Sequence, residues 1–86
     1  MVVRYHRLFK KQLKRLPLKQ QKVLSERLRI FAQDVFHPQL NNRALHGEYA
    51  GCRSINISGD LRTVYSCEED GSFLFIAIGS HSQLYG

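Results

Sequence analysis

The run FLFIAI at residues 73–78 limits this chain's folds more than any other feature. It follows the turn-forming EEDG and stops at Gly79. Six apolar residues are too few for a buried helix, and Phe and Ile favour extended backbone. The segment reads as the best-buried strand of a sheet, and the rest of the chain has to cover it. At 86 residues there is room for one domain, spanning 1–86, with one modest core.

Just before that run, CRSINIS and LRTVYSC flank Gly59-Asp60, a hairpin signal. A two-residue loop there would put Ile55 and Ile57 on the same face as Arg62. A three-residue loop from Ser58 to Asp60 pairs Ile57 with Leu61 and Ile55 with Thr63. Ile55, Ile57, Leu61 and Tyr65 then share one face, and Ser54, Asn56, Arg62 and Ser66 the other. A slip of one residue flips every side chain, so the cleaner segregation predicts the three-residue loop. It places Asn56 beside Arg62 on a polar face turned away from the helices.

The N-terminal half reads differently. VVRY at 2–5 suits a short strand. Leu8, Phe9, Leu13 and Leu16 then fall on one helical stripe, and Pro17 ends that helix or opens the next. Leu24, Leu28, Phe31 and Val35 make a second stripe, broken at FHPQLNN, where Pro38 disfavours helix in His37. The order is β-α-α-β-β-β: a small α+β domain, an antiparallel sheet with a two-helix hairpin packed on one face.

Charge is unevenly placed along the chain. Residues 1–43 carry a net +9 and residues 44–86 a net −3. Such asymmetry points to a polyanionic partner, nucleic acid or an acidic protein, with Lys10, Lys11 and Lys14 on the first helix as candidate RNA contacts. No 18-residue apolar stretch is present, so a membrane role is not expected. The N-terminus lacks the apolar core of a secretory signal, which predicts a cytoplasmic protein with Cys52 and Cys67 reduced. Two cysteines without close spacing make no metal motif.

The polar candidates gather around the hairpin and the last strand. Arg43 and His46 precede the hairpin; Arg53, Asn56 and Arg62 lie on its strands and Asp60 at its turn; His81 and Tyr85 follow the last strand. Arginines, a carboxylate, histidines and an aromatic suit a site that grips a phosphodiester and moves protons around it.

LHGEYAGCRSINISGDLRTVY followed by FLFIAIGSHSQLYG resembles the RelE/ParE superfamily of bacterial toxins, and most closely its YafQ-like branch. The matching positions are Leu45, Gly47, Tyr49, Gly51, Arg53, Asp60 and Tyr65, then Gly79, Ser80, His81, Leu84, Tyr85 and Gly86. The resemblance implies a RelE-like fold and a type II toxin acting as a ribosome-dependent mRNA endonuclease. It also implies restraint by a cognate antitoxin with an acidic or amphipathic segment. It further implies that His81 acts as acid or base, and that Asp60 and Tyr85 are functional. Asn56 stands where the branch has a histidine, Ala77 where it has an arginine, and Arg43 where it has another histidine.

RNA carries its own nucleophile in the 2′-hydroxyl, so no metal or other cofactor is expected. His81 is the expected general acid, Arg53 and Arg62 the groups that neutralise the phosphorane, and Tyr85 a base-stacking residue. The general base is Asp60 by resemblance or His46 by chemistry. Two alternatives use the same fold: a ParE-like inhibitor of DNA gyrase, or a catalytically weak module that binds RNA and antitoxin.

Overall fold

A computed structural model of the chain describes residues 1–85; Gly86, the end of the terminal motif, lies outside them. The elements are strand β1 (Val3–Tyr5), helices α1 (Arg7–Arg15) and α2 (Leu18–Gln33), strands β2 (Arg43–Ala44), β3 (Arg53–Ser58), β4 (Leu61–Cys67) and β5 (Phe73–Ser80), and helix α3 (His81–Tyr85). Short 3₁₀ turns occupy Pro38–Leu40 and Gly47–Tyr49. The strands form one sheet in the order β1-β5-β4-β3-β2.

Both helices start and stop where the sequence requires. His6 caps α1, its Nδ1 accepting from the Leu8 amide at 3.0 Å. Leu16 and Pro17 are both extended, so the proline separates the two helices instead of belonging to either. Their apolar stripes meet one sheet face in a core of Phe9, Leu24, Phe31, Ile55, Ile57, Tyr65, Phe75 and Ile78. Phe31 stands edge-on to the rings of Tyr65, Phe73 and Phe75, at centroid distances of 4.9–5.2 Å.

The sheet departs from the sequence expectation in three ways. First, β1 runs parallel to β5, pairing Val3 with Phe73 and Tyr5 with Phe75. Strand direction depends on how the chain returns through the helical hairpin, and periodicity carries no such information. Secondly, Arg43–Ala44 forms an extra edge strand beside β3.

Thirdly, the hairpin combines both loop lengths. Ile55 does face Thr63 and Asn56 faces Arg62, yet Ser58 rather than Ile57 opposes Leu61. Gly59 (φ +50°) and Asp60 thus form a two-residue turn, and a bulge at Ile57 absorbs the extra residue. A bulge takes a carbonyl out of the ladder. The Arg27 Nε donates to the Ile57 carbonyl at 3.1 Å, so a helix side chain satisfies it.

The other sheet face is not simply polar. Val64, Ala77 and Leu84 form a second small core there, with Leu45, Tyr49, Cys52, Ile76 and Tyr85 packed against it. The strand β4 is therefore covered on both sides, and Leu61 to Tyr65 are all buried.

At the β3 edge of the helical core, Asn42 joins two strands and the turn after α2. Its Nδ2 donates to the Val35 carbonyl at 3.0 Å and to the Tyr65 hydroxyl at 2.7 Å, while its Oδ1 accepts from Arg53 Nε at 2.7 Å. Burial pushes the Tyr65 phenol above its ordinary value of 10.0, and the Asn42 hydrogen bond opposes this in part. The folded state therefore holds that proton more tightly than the unfolded chain. The stability it contributes is complete below about pH 10 and is lost as the pH rises further. Tyr65→Phe should cost about 1 kcal/mol at neutral pH. Above about pH 10, urea titrations should show its stability falling less steeply than that of the wild type.

Candidate active site

The terminal segment forms the site's most distinctive wall. Ser80 and Gln83 make a reciprocal cap: the Ser80 amide donates to Gln83 Oε1 at 2.8 Å, and the Gln83 amide donates to Ser80 Oγ at 3.2 Å. This S-x-x-Q pattern turns the end of β5 into the single-turn helix α3. Leu84 anchors the turn on Val64 and Ala77. His81 and Tyr85, one turn apart, are left side by side with ring centroids 4.8 Å apart.

The seating of that turn depends on Gly79. A Cβ there would lie 3.1 Å from Gln83 Oε1, 3.2 Å from Gln83 Cβ and 3.4 Å from Leu84 Cγ. Gly79 faces Arg62 and Ala77 faces Val64, so positions 62, 64, 77 and 79 share the face that carries α3.

Arg62 is the central group of the site. It projects from the middle strand, is only 8% exposed, and donates through Nε to Ser54 Oγ at 3.1 Å. One of its terminal nitrogens donates to the Asn41 carbonyl at 2.9 Å and to the Ser54 carbonyl at 3.3 Å. Asn41 presents that carbonyl from a left-handed conformation, φ 46° and ψ 53°, as it ends the Pro38–Leu40 turn. Among the described residues the one ion pair is Arg4 with Asp70, so Arg62 has neutral partners only.

A cleft of about 300 Å³ opens over this group, lined chiefly by Arg43, His46, Ser54, Arg62, His81 and Tyr85. It brings together five of the residues singled out in the sequence: Arg43, His46, Arg62, His81 and Tyr85. Arg43 pairs with Ser54 across the edge strand and so shares the face of Arg62. His46, exposed, opens the Gly47–Tyr49 turn on the opposite rim.

Four kinds of candidate lie elsewhere. Arg53 has the strand parity of Ile55 and Ile57 and therefore projects to the helical face. There it bonds Asn42 and lies 5.2 Å over the Phe36 ring. It does not share the cleft of Arg62. Asp60 is outside the cleft lining, and its carboxylate accepts from the His81 amide at 3.4 Å. Asn56 stands opposite Arg62 but turns its Nδ2 to the Gly59 carbonyl at 3.0 Å, bracing the turn. Lys10, Lys11 and Lys14 are exposed on α1, whose buried residues pack on the opposite sheet face. Ser54 was missed as a candidate, although its parity with Asn56 placed it beside Arg62.

Gly79→Ala forces the terminal turn off its seat by a few tenths of an ångström. The expected result is a stability loss of about 1–2 kcal/mol, read by denaturation. Ser80→Ala, which removes the cap, should cost about 1 kcal/mol.

Comparisons with known proteins agree with this architecture. The family model described as a bacterial toxin of type II toxin–antitoxin systems, YafQ, matches residues 1–86. A copper-bound mutant toxin from Helicobacter pylori superposes with a TM-score of 0.72 at 25% identity, covering 99% of both chains. YafQ from Escherichia coli strain BL21(DE3) gives 0.70 at 20% identity, covering 98% of this chain and 97% of that one. The RelE of a RelE–RelB complex from Pyrococcus horikoshii gives 0.76 at 20%, covering 95% and 96%. A search of curated proteins finds no match. No helix among the described residues is long and apolar enough to cross a membrane. With its RelE-like fold and a family match over its whole length, the chain belongs to the YafQ family of toxins from bacterial type II toxin–antitoxin systems.

Proposed function

We propose that this toxin is an endoribonuclease that cuts mRNA on the ribosome without a metal, using the 2′-hydroxyl as nucleophile. One observation carries the reading: a buried arginine with no carboxylate partner among the described residues faces a cleft that also holds two histidines. A buried cation without a counter-charge favours an anion at that place, and a phosphodiester is an anion whose cleavage needs an acid and a base.

In this mechanism Arg62 and Arg43 bind the scissile phosphate and stabilise the charge of the phosphorane. Arg62 arrives with its guanidinium already oriented by Ser54 and Asn41, so little reorganisation is needed. His46 removes the 2′-proton as the O2′–P bond forms. Asp60 is less suited as base, because its carboxylate serves the His81 amide outside the cleft lining. As the P–O5′ bond breaks, His81 donates its proton to the leaving oxygen. The products are a 2′,3′-cyclic phosphate and a 5′-hydroxyl. Tyr85, edge-on to His81, offers its ring to a base.

The basic helical face would serve docking on ribosomal RNA and capture by a cognate antitoxin. RelB and DinJ accompany the toxins in neighbouring structures, which supports a proteinaceous inhibitor here. A toxin acting on translating ribosomes works in the cytoplasm.

Induced expression of His81→Ala should abolish growth arrest and the mRNA cuts seen by primer extension with the wild type. Arg62→Lys keeps the charge but loses the planar fork, and should lower cutting by roughly 10²-fold. Cut ends bearing a 5′-phosphate, or arrest that persists in His81→Ala without cuts, would replace this reading with a different mechanism or with gyrase inhibition.

A further inference from the structure

The strand β1 covers the outer edge of β5 over residues 73–75 only. The chain then leaves for α1, with the His6 amide donating to the Phe75 carbonyl at 2.9 Å. Phe75 pairs with Tyr65 and Ala77 with Val64, so Ile76 is an extra residue, a bulge. Past the bulge, side chains instead of a strand meet the amides of Ile78 and Ser80. Ile78 is only 3% exposed, so its amide has to find a partner within the protein.

Two glutamines take the place of the missing strand. Gln12, on α1, accepts from the Ile78 amide through Oε1 at 2.7 Å. Gln83, on α3, accepts from the Ser80 amide at 2.8 Å. They differ in what they are attached to. Gln83 belongs to the terminal turn and moves with it, so its bond shapes the turn without placing it on the domain. Gln12 belongs to a helix anchored in the main core by Phe9. Among the described residues, no other side chain of the helical layer bonds to the main chain of residues 78–80.

Packing does little to replace that bond. A hollow of about 350 Å³ lies between Gln12, Arg15 and Leu16 of α1 and Gly79, Gln83 and Leu84 at the end of the chain. From Ile78 the chain reaches His81 in three residues, through Gly79, which is seated closely against Gln83 and Leu84. The His81 amide itself meets the Asp60 carboxylate at 3.4 Å, a long bond.

We infer that Gln12 is a positioning residue for His81: by fixing the Ile78 amide it holds the end of β5, and the terminal helix with it, where the imidazole reaches the leaving oxygen. This rests on the endonuclease reading above, in which His81 is the general acid. Without Gln12 the end of β5 is free to move into the hollow, carrying His81 away from its place. Arg62 stays where it is, because Ser54 and Asn41 hold it. The phosphate contact is then kept and the proton transfer is lost.

The test uses translating ribosomes programmed with two mRNAs, one natural and one with sulfur in place of the scissile 5′-oxygen. Thiols are far stronger acids than alcohols, so a thiolate leaves without being protonated. Gln12→Met, which keeps the length and removes the acceptor, should cut the natural mRNA about 10- to 100-fold more slowly at saturation. The toxin concentration giving half the maximal rate should stay unchanged. On the sulfur mRNA Gln12→Met should match the wild type, as should His81→Ala. Gln12→Glu, which keeps an oxygen acceptor, should behave as the wild type on both. Wild-type speed of Gln12→Met on the natural mRNA, or equal slowing on both, overturns the positioning role and leaves the endonuclease reading standing. A raised half-saturating concentration with an unchanged maximal rate would make Gln12 a binding residue and also overturn it. If Gln12→Met does not fold, Gln12→Asn, whose acceptor is one methylene short, gives the same comparison. Absence of cuts by the wild type, or a His81→Ala defect that sulfur leaves in place, overturns both the acid role of His81 and the role of Gln12.

Discussion

Arg62 imposes the constraint around which the rest of this domain is arranged. Its strand is the most buried of the sheet, with a helical core on one side and a smaller core under the terminal helix on the other. A cation in that position is costly unless its donors are satisfied. Ser54 from the neighbouring strand and the Asn41 carbonyl meet that need without neutralising the charge. A carboxylate partner would have neutralised the charge that the proposed phosphate contact uses. The left-handed Asn41, the polar Ser54 facing the smaller core, and the cleft itself all follow from keeping the charge available.

Two adjacent residues tie that arrangement to the larger core. Asn41 reaches Arg62 on the cleft face through its main chain, while the side chain of Asn42 bonds Tyr65, Arg53 and Val35 on the helical face. The segment between the 3₁₀ turn and the edge strand thus wraps the margin of the sheet and grips both sides. The guanidinium is held by a segment that is itself fixed to the main aromatic cluster. In the proposed mechanism such rigidity favours Arg62, because it need not reorganise when charge develops.

Much of this was legible in the sequence, for identifiable reasons. The FLFIAI run, the two helical stripes and the pairing of Ile55 with Thr63 come from periodicity, which depends on local geometry alone. The grouping of His81, Tyr85, Arg62, His46 and Arg43 followed once the last strand was placed next to the hairpin. What escaped depends on long-range packing: the parallel partner of the first strand, the bulge at Ile57 and the core under Leu84. Two features were readable but passed over. Arg53 has the parity of Ile55, which alone removes it from the polar face, and Ser80 with Gln83 spells a capping box. The position of Asp60, outside the cleft lining and bonded to the His81 amide, was not readable for another reason. A carboxylate in a turn looks the same in sequence whether it serves substrate or a main-chain amide.

The parallel pairing of the first and last strands has a kinetic consequence. Val3 and Phe73 are neighbours in space but nearly the whole chain apart in sequence, so closing that pair costs much loop entropy and raises the contact order. During synthesis the helical hairpin emerges first and finds no sheet to cover. It must wait, with its apolar stripes unburied, until the final strand leaves the ribosome. The cleft lies between elements that come together only then. A partly made chain therefore has neither the fold nor the site, and the interval before closure is the period in which the exposed stripes are most open to capture or aggregation.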